Sequence, residues 1–341
     1  MSGKSVVLGL VALLLALVIA GLTAVGWQVV LGPDARPTSS EPFSATAERL
    51  ARGQYLVEGP AHCFHCHTEH DFSLPEYPIV RSKKGAGWVM PIPELNHIAA
   101  RNITPDPETG LGSWTDDEIA RALREGVRRD GAALFPIMPY LDYAELDEED
   151  VASIVVYLRT LPPVRNAVPV RALPFPLEYI VKTIPKPVPA SRPARTRATP
   201  VERGAYLTKL AGCSGCHTPA VDGQPAPGLV FGGGSLFQDP GRDMATLVSP
   251  NITPDPSGIA HYDEALFMQT LRTGRMGGRV LSHIMPFEFL RLMTDEDLRD
   301  MFAYLQSVPA VRHRVSNTDP PAACGVCGQS HGLGELNARP N

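Results

Sequence analysis

The sequence predicts an all-α protein, two tandem helical domains of one kind behind an amino-terminal transmembrane helix. Three observations carry this. Five sequence markers occur twice in the same order, a long apolar run lies near the start, and apolar stripes recur at helical spacing with no convincing strand alternation.

The duplication is read by laying the chain on itself. "RGQYL" at Arg52–Leu56 is answered by "RGAYL" at Arg203–Leu207, and "CFHCHT" at Cys63–Thr68 by "CSGCHT" at Cys213–Thr218. "NITPDP" stands at Asn102–Pro107 and again at Asn251–Pro256, and "IMP" at Ile137–Pro139 and Ile284–Pro286. Finally "DEEDVASIVVYLRTLPPVR" from Asp147 is echoed by "TDEDLRDMFAYLQSVPAVR" from Thr294, so the offset drifts only from 151 to 147. Two homologous domains follow, at 45–165 and 200–315, joined by a proline-rich linker at 166–199 and ending in a tail at 316–341.

Each element has a local reason. Ser5–Trp27 is apolar almost throughout, and as a helix rising ~1.5 Å per residue it reaches roughly 34 Å, enough to cross a bilayer core. The segment 1–31 is therefore expected to be a membrane anchor, with a secretory signal as the alternative. Lys4 precedes the run, whereas Arg36 after it is offset by Asp34 and Glu41, which favours a cytoplasmic amino terminus and an exported remainder. Thr115-Asp116-Asp117-Glu118 has the form of a capping box ahead of Ile119, Ala122 and Leu123. Asp147 and Thr294 open helices whose stripes are Ile154, Val155, Leu158 and Leu161, and Leu298, Met301, Phe302 and Leu305. The linker cannot be helical, and its first part, "ALPFPLEYIVKTIP", is apolar enough to lie on the first domain. A net charge of -5 spread along 341 residues gives no footprint for a nucleic acid.

The six cysteines fall in three pairs, Cys63/Cys66, Cys213/Cys216 and Cys324/Cys327, each with two residues between. In the first two pairs a histidine follows at once, His67 and His217. Two thiols a helical turn apart can reach both vinyl groups of one porphyrin while the next imidazole comes under the iron. A zinc clip or a redox dithiol also uses C-x-x-C, but the first needs two further ligands and the second has no use for the histidine. Two covalently attached haem c groups are thus expected, on Cys63, Cys66 and His67 and on Cys213, Cys216 and His217. Met138 and Met285 occupy one repeat position, each before a proline, and are the expected sixth ligands of the two irons. His97, His261 and His283 are the rivals for that role, while Met268, Met276, Met293 and Met301 read as core filler. "NITPDP" is either a proline-bounded turn held by its own side chains or a loop that places Asn102 and Asn251 at the haem edge.

The third pair differs. Gly328 stands where the haem motifs have histidine, and too little chain follows to wrap a porphyrin. His331 could join the two thiols on a metal, but a fourth ligand would have to come from elsewhere. In an oxidising compartment a Cys324–Cys327 disulfide is the expected state.

On "CxxCHT", "NITPDPETGLGSWTDDEIARALREGVRRDGAALFPIMPY" and "LDEEDVASIVVYLRTLPP" the chain resembles the cytochrome c subunits of membrane-bound bacterial alcohol, gluconate and aldehyde dehydrogenases. The likeness is strong over 50–165 and looser over 200–312. It implies two tandem c-type cytochrome domains with no substrate chemistry of their own. Their expected role is electron transfer in the periplasm, at the inner membrane, with a dehydrogenase or a respiratory complex as donor or acceptor. A dihaem cytochrome c peroxidase-like enzyme is the alternative.

Overall fold

In the computed structural model, residues 3–26, 28–170, 172–189, 196–221 and 223–339 are described. Trp27, which closes the apolar run, and residues 190–195 of the linker lie outside the described residues. In chain order the helices longer than one turn are α1 Gly3–Val25, α2 Ala47–Glu58, α3 Cys63–His67, α4 Asp116–Glu125 and α5 Glu148–Arg159. They continue with α6 Pro200–Leu210, α7 Cys213–His217, α8 Glu264–Thr273 and α9 Asp295–Ser307. The sequence repeat relates α2 to α6, α3 to α7, α4 to α8 and α5 to α9.

The chain forms two compact units. The first collects Met1–Pro42, Trp114–Ala144 and Ala172–Ala190, and the second Phe43–Ser113, Glu145–Arg171 and Ser191–Asn341. In the first unit α1 is long and apolar enough to cross a membrane and is exposed over Lys4–Gly21. Helix α4 starts on the capping box read from the sequence: Thr115 accepts from the Glu118 N–H and Glu118 reaches back to the Thr115 N–H. It ends at Gly126, whose φ of 69° suits glycine and where a Cβ would meet the Tyr140 ring at 2.6 Å. Arg36 donates to Asp117 at 2.6 and 2.7 Å and to the buried Glu125 at 2.6 Å, tying the chain after α1 to both ends of α4. Val181 and Val188 of the linker are buried in this unit, and Lys182 donates to the Val29 carbonyl.

In the second unit the repeat shows as two crossed helix pairs, α2 on α5 and α6 on α9. Both crossings are made by the glycine of the "RGxYL" marker. A Cβ on Gly53 would lie 1.9 Å from the Ser153 carbonyl oxygen, and one on Gly204 would lie 1.8 Å from that of Asp300. Only glycine lets the helices meet this closely, which is why both markers carry it. Leu56, Val57, Ile154, Val155 and Leu158 are buried in the first pair, and Leu207, Leu298, Met301 and Leu305 in the second. Thr46, Thr199 and Thr294 cap α2, α6 and α9 through their side chains. Asp147 precedes α5 without a side-chain cap, since its carboxylate is taken by Arg197 at 2.6 and 3.1 Å.

The pairs are joined by a reciprocal exchange. The Tyr55 hydroxyl of the first repeat donates to Asp297 of the second, and the Tyr206 hydroxyl of the second donates to Asp150 of the first at 2.6 Å. Tyr55 corresponds to Tyr206 and Asp150 to Asp297, so the contact is self-complementary about a local pseudo-two-fold axis. The Thr294 N–H bonded to Tyr55 and the Asp147 N–H near Tyr206 repeat the symmetry.

The expectation of an all-α chain needs one correction. Among the described residues five two-stranded antiparallel ribbons are present, from Trp88–Val89 paired with Ala99–Ala100 to Ser316–Ala323 paired with Ser330–Gly332. Most strands are two to four residues long, too short to show alternation, and Ser316–Ala323 contains Pro320 and Pro321, which mask it as a strand.

Candidate haem-attachment sites

The two C-x-x-C-H motifs are themselves short helices, α3 and α7, each entered through a left-handed residue, His62 at φ 33° and Gly212 at φ 61°. One helical turn puts both thiols of a pair and the following imidazole within reach of one another. His67 Nδ1 lies 2.6 Å from the Arg101 carbonyl oxygen, and His217 Nδ1 lies 2.8 Å from that of Pro250. A carbonyl only accepts, so Nδ1 carries the proton in both rings and Nε2 keeps its lone pair. Burial holds both imidazoles below their ordinary pKa, which keeps them neutral and able to ligate a metal. Around them the backbone repeats as well: the His67 carbonyl accepts from Gly87 N–H at 2.8 Å and the His217 carbonyl from Gly233 N–H at 2.7 Å.

Both orienting carbonyls immediately precede "NITPDP", and the structure decides between the two readings of that motif. Asn102 Oδ1 accepts from the Thr104 N–H and hydroxyl at 2.9 and 2.7 Å, while its Nδ2 donates to the Val164 carbonyl at 2.7 Å. Asn251 does the same with Thr253, at 2.9 and 2.8 Å, and with the Val311 carbonyl at 2.7 Å. Both asparagines are buried, and their amides are spent within the fold. Each is a clasp between the loop and the chain that leaves the last helix of its repeat. The clasp fixes the carbonyl that fixes the histidine.

The methionine loops are equivalent in shape. Met138 N–H donates to the Phe135 carbonyl and Tyr140 N–H to that of Met138; Met285 N–H donates to Ser282 and Phe287 N–H to Met285, the last bond in each loop being 2.7 Å. Met285 packs against the apolar cluster that contains Cys213, Phe231 and Phe287. Of the eight residues expected from the sequence, the second unit holds Cys63, Cys66, His67, Cys213, Cys216, His217 and Met285, and the first holds Met138. Met293 and Met301 are buried core residues. Among the rival histidines His283 is buried edge-on to Phe287, while His261 is exposed beside Tyr262.

Within the second unit the motifs are neighbours. Burial pushes the Cys63 thiol up to about 12, and burial with the nearby Cys216 pushes Cys66 up to about 11. His65, in the first motif, stands edge-on to Phe289 of the second repeat at 6.1 Å between ring centres.

Comparison with known proteins identifies the family. The cytochrome c family model matches residues 201–309, the second repeat. A dihaem c-type cytochrome of Cereibacter sphaeroides is 30% identical over 288 residues, covering 81% of this chain and 92% of that protein. The chain belongs to the cytochrome c family. As a cytochrome c it is an electron-transfer protein whose iron is carried by covalently bound haem. The fructose dehydrogenase cytochrome subunit of Gluconobacter japonicus is 32% identical over 289 residues, 81% of this cytochrome and 56% of that subunit. The cytochrome c subunit of the quinone alcohol dehydrogenase of Gluconobacter oxydans is 28% identical, over 77% of this cytochrome and 55% of that subunit. This cytochrome thus spans a little over half the length of the dehydrogenase subunits it matches.

Proposed function

We propose that the chain is a membrane-anchored periplasmic dihaem cytochrome c that takes electrons from a dehydrogenase or respiratory donor and hands them to a downstream acceptor. One haem would be held by Cys63, Cys66 and His67 with Met138, the other by Cys213, Cys216 and His217 with Met285. When bound, haem supplies a one-electron iron couple. The residues do the rest: the thiols tether, the histidine lone pairs are aimed by the Arg101 and Pro250 carbonyls, and the methionine loops offer a thioether, a ligand that raises the potential.

The observation that carries two haems is the repetition of the histidine–carbonyl–asparagine clasp in both repeats, down to the same bonds. The neighbouring motifs of the second unit support exchange between the two sites. The dehydrogenase-subunit relatives support a dehydrogenase partner, and the exposed apolar helix α1 supports a single amino-terminal span in the inner membrane with the remainder in the periplasm. The test is spectroscopic. Met138→Ala and Met285→Ala are each expected to abolish half of the methionine–iron charge-transfer absorbance of the oxidised protein; absorbance unchanged in either variant would refute that ligand.

A further inference from the structure

The third cysteine pair is where the structure departs from the sequence expectation. Cys324 and Cys327 are free thiols and form no disulfide. They are buried together with two histidines, His331 from the tail and His313 from the segment leaving α9. The four ligand atoms all lie within 4.8 Å of one another. His313 Nε2 is 3.1 Å from His331 Nε2 and 3.3 Å from Cys324 Sγ. Tetrahedral zinc with bonds of about 2.0–2.1 Å to nitrogen and 2.3 Å to sulfur holds its ligand atoms roughly 3.3–3.8 Å apart.

The hydrogen bonds point the same way. His313 Nδ1 lies 2.8 Å from the Gly232 carbonyl oxygen and His331 Nδ1 2.9 Å from that of Gly332. Both protons therefore sit on Nδ1, and the two Nε2 lone pairs face each other in a site closed to water. A shared proton would satisfy two of the four groups, whereas one divalent ion satisfies all four. The Val326 N–H donates to Cys324 Sγ at 3.4 Å, as suits a thiolate. Gly328, in the place of the haem-motif histidine, has φ 75° and closes the turn by donating to the Cys324 carbonyl at 3.0 Å. Gly234, at φ 106°, lines the site where a Cβ would press on His313 at 2.9 Å. Ala226 and Leu229 complete an apolar wall around the cysteines.

We propose that His313, Cys324, Cys327 and His331 bind one Zn²⁺ in a closed, four-ligand structural site that staples the tail to the second repeat. Two thiolates and two imidazoles in a tetrahedron are the donor set of structural zinc, with no position left for a substrate. The staple reaches the neighbouring clasp. His313 N–H donates to Ser257 at 3.0 Å, and the Asn251 amide that holds Val311 also donates to the His313 carbonyl at 3.3 Å. Metal binding at the tail therefore braces the loop whose Pro250 carbonyl orients His217.

The test is elemental analysis of the purified full-length protein, prepared without chelator, with thiols counted by alkylation and peptide mapping. The expected result is one zinc per chain, Cys324 and Cys327 alkylated only after denaturation with chelator, and no disulfide between them. A Cys324–Cys327 disulfide, two thiols with no metal, or a different metal on this peptide would overturn the proposal. The Cys324→Ser/Cys327→Ser variant is expected to lose the zinc entirely with its iron content unchanged. Should that variant not fold, His331→Cys, which keeps four donors, is expected to retain one zinc; retention of zinc by a folded double-serine variant would refute the site. Iron and zinc are read separately, so failure of the haem assignment and failure of the zinc assignment are distinguishable.

Discussion

Replacing Tyr206 with phenylalanine removes one hydroxyl from the self-complementary contact that joins the two repeats and leaves its ring in place under Arg197, which lies 3.6 Å from the ring centre. The hydroxyl donates to Asp150 at 2.6 Å, and Asp150 is buried. A hydrogen bond to a buried charged group contributes about 1.5–3 kcal/mol. Asp150 also keeps two bonds from Arg52, at 2.8 and 2.9 Å, so its charge is not stranded and the lower end, about 1.5 kcal/mol, applies. For a unit of this size that is a fall in melting temperature of roughly 3–6 °C. Tyr55→Phe removes the equivalent bond to Asp297 and is expected to cost a similar amount. Arg52 bonds Asp150 and lies over the Tyr55 ring, so the two contacts share a partner; the double variant is expected to melt below either single variant, without strict additivity. Thermal unfolding followed by far-ultraviolet circular dichroism reads all three. An unchanged melting temperature in the double variant would refute the exchange as the joint between repeats.

Other expectations follow from single contacts. Gly204→Ala drives a Cβ into the Asp300 carbonyl and should destabilise by about 1–3 kcal/mol or more, read by urea unfolding. Asn251→Ala opens the second clasp, and we expect lowered stability together with a shifted potential for the haem on His217 and none for the other, measured by redox titration. Asp106 accepts from the Thr109 hydroxyl and N–H, which hold its pKa below the ordinary 3.8. Its contribution is complete above that value and is lost as pH falls through the lower folded value, so Asp106→Asn should flatten the stability profile below about pH 4.

The repeat made much of this architecture legible. Because Arg52–Leu56 and Arg203–Leu207 share a pattern, the paired helices, the thiols, the histidines and the methionine loops could all be placed by correspondence. The Thr115–Glu118 cap was readable because a capping box is local chemistry. What the chain hid depends on distance. "NITPDP" looks like a turn until Asn102 and Asn251 are seen to grip carbonyls some 60 residues away. Nothing in "VRHRV" marks His313 as a partner of His331, since it reaches the cysteine pair only through the Ser316–Ala323 ribbon, whose prolines conceal the strand. The Tyr–Asp exchange was equally invisible, because each half looks like an ordinary surface tyrosine or helix-start acid.

Two haems on one chain are read from the intact mass of the purified protein together with the haem content from its pyridine haemochrome spectrum. Two covalent haems per chain are expected, on the Cys63/Cys66 and Cys213/Cys216 peptides. A mass corresponding to a single haem, or to none, would contradict this.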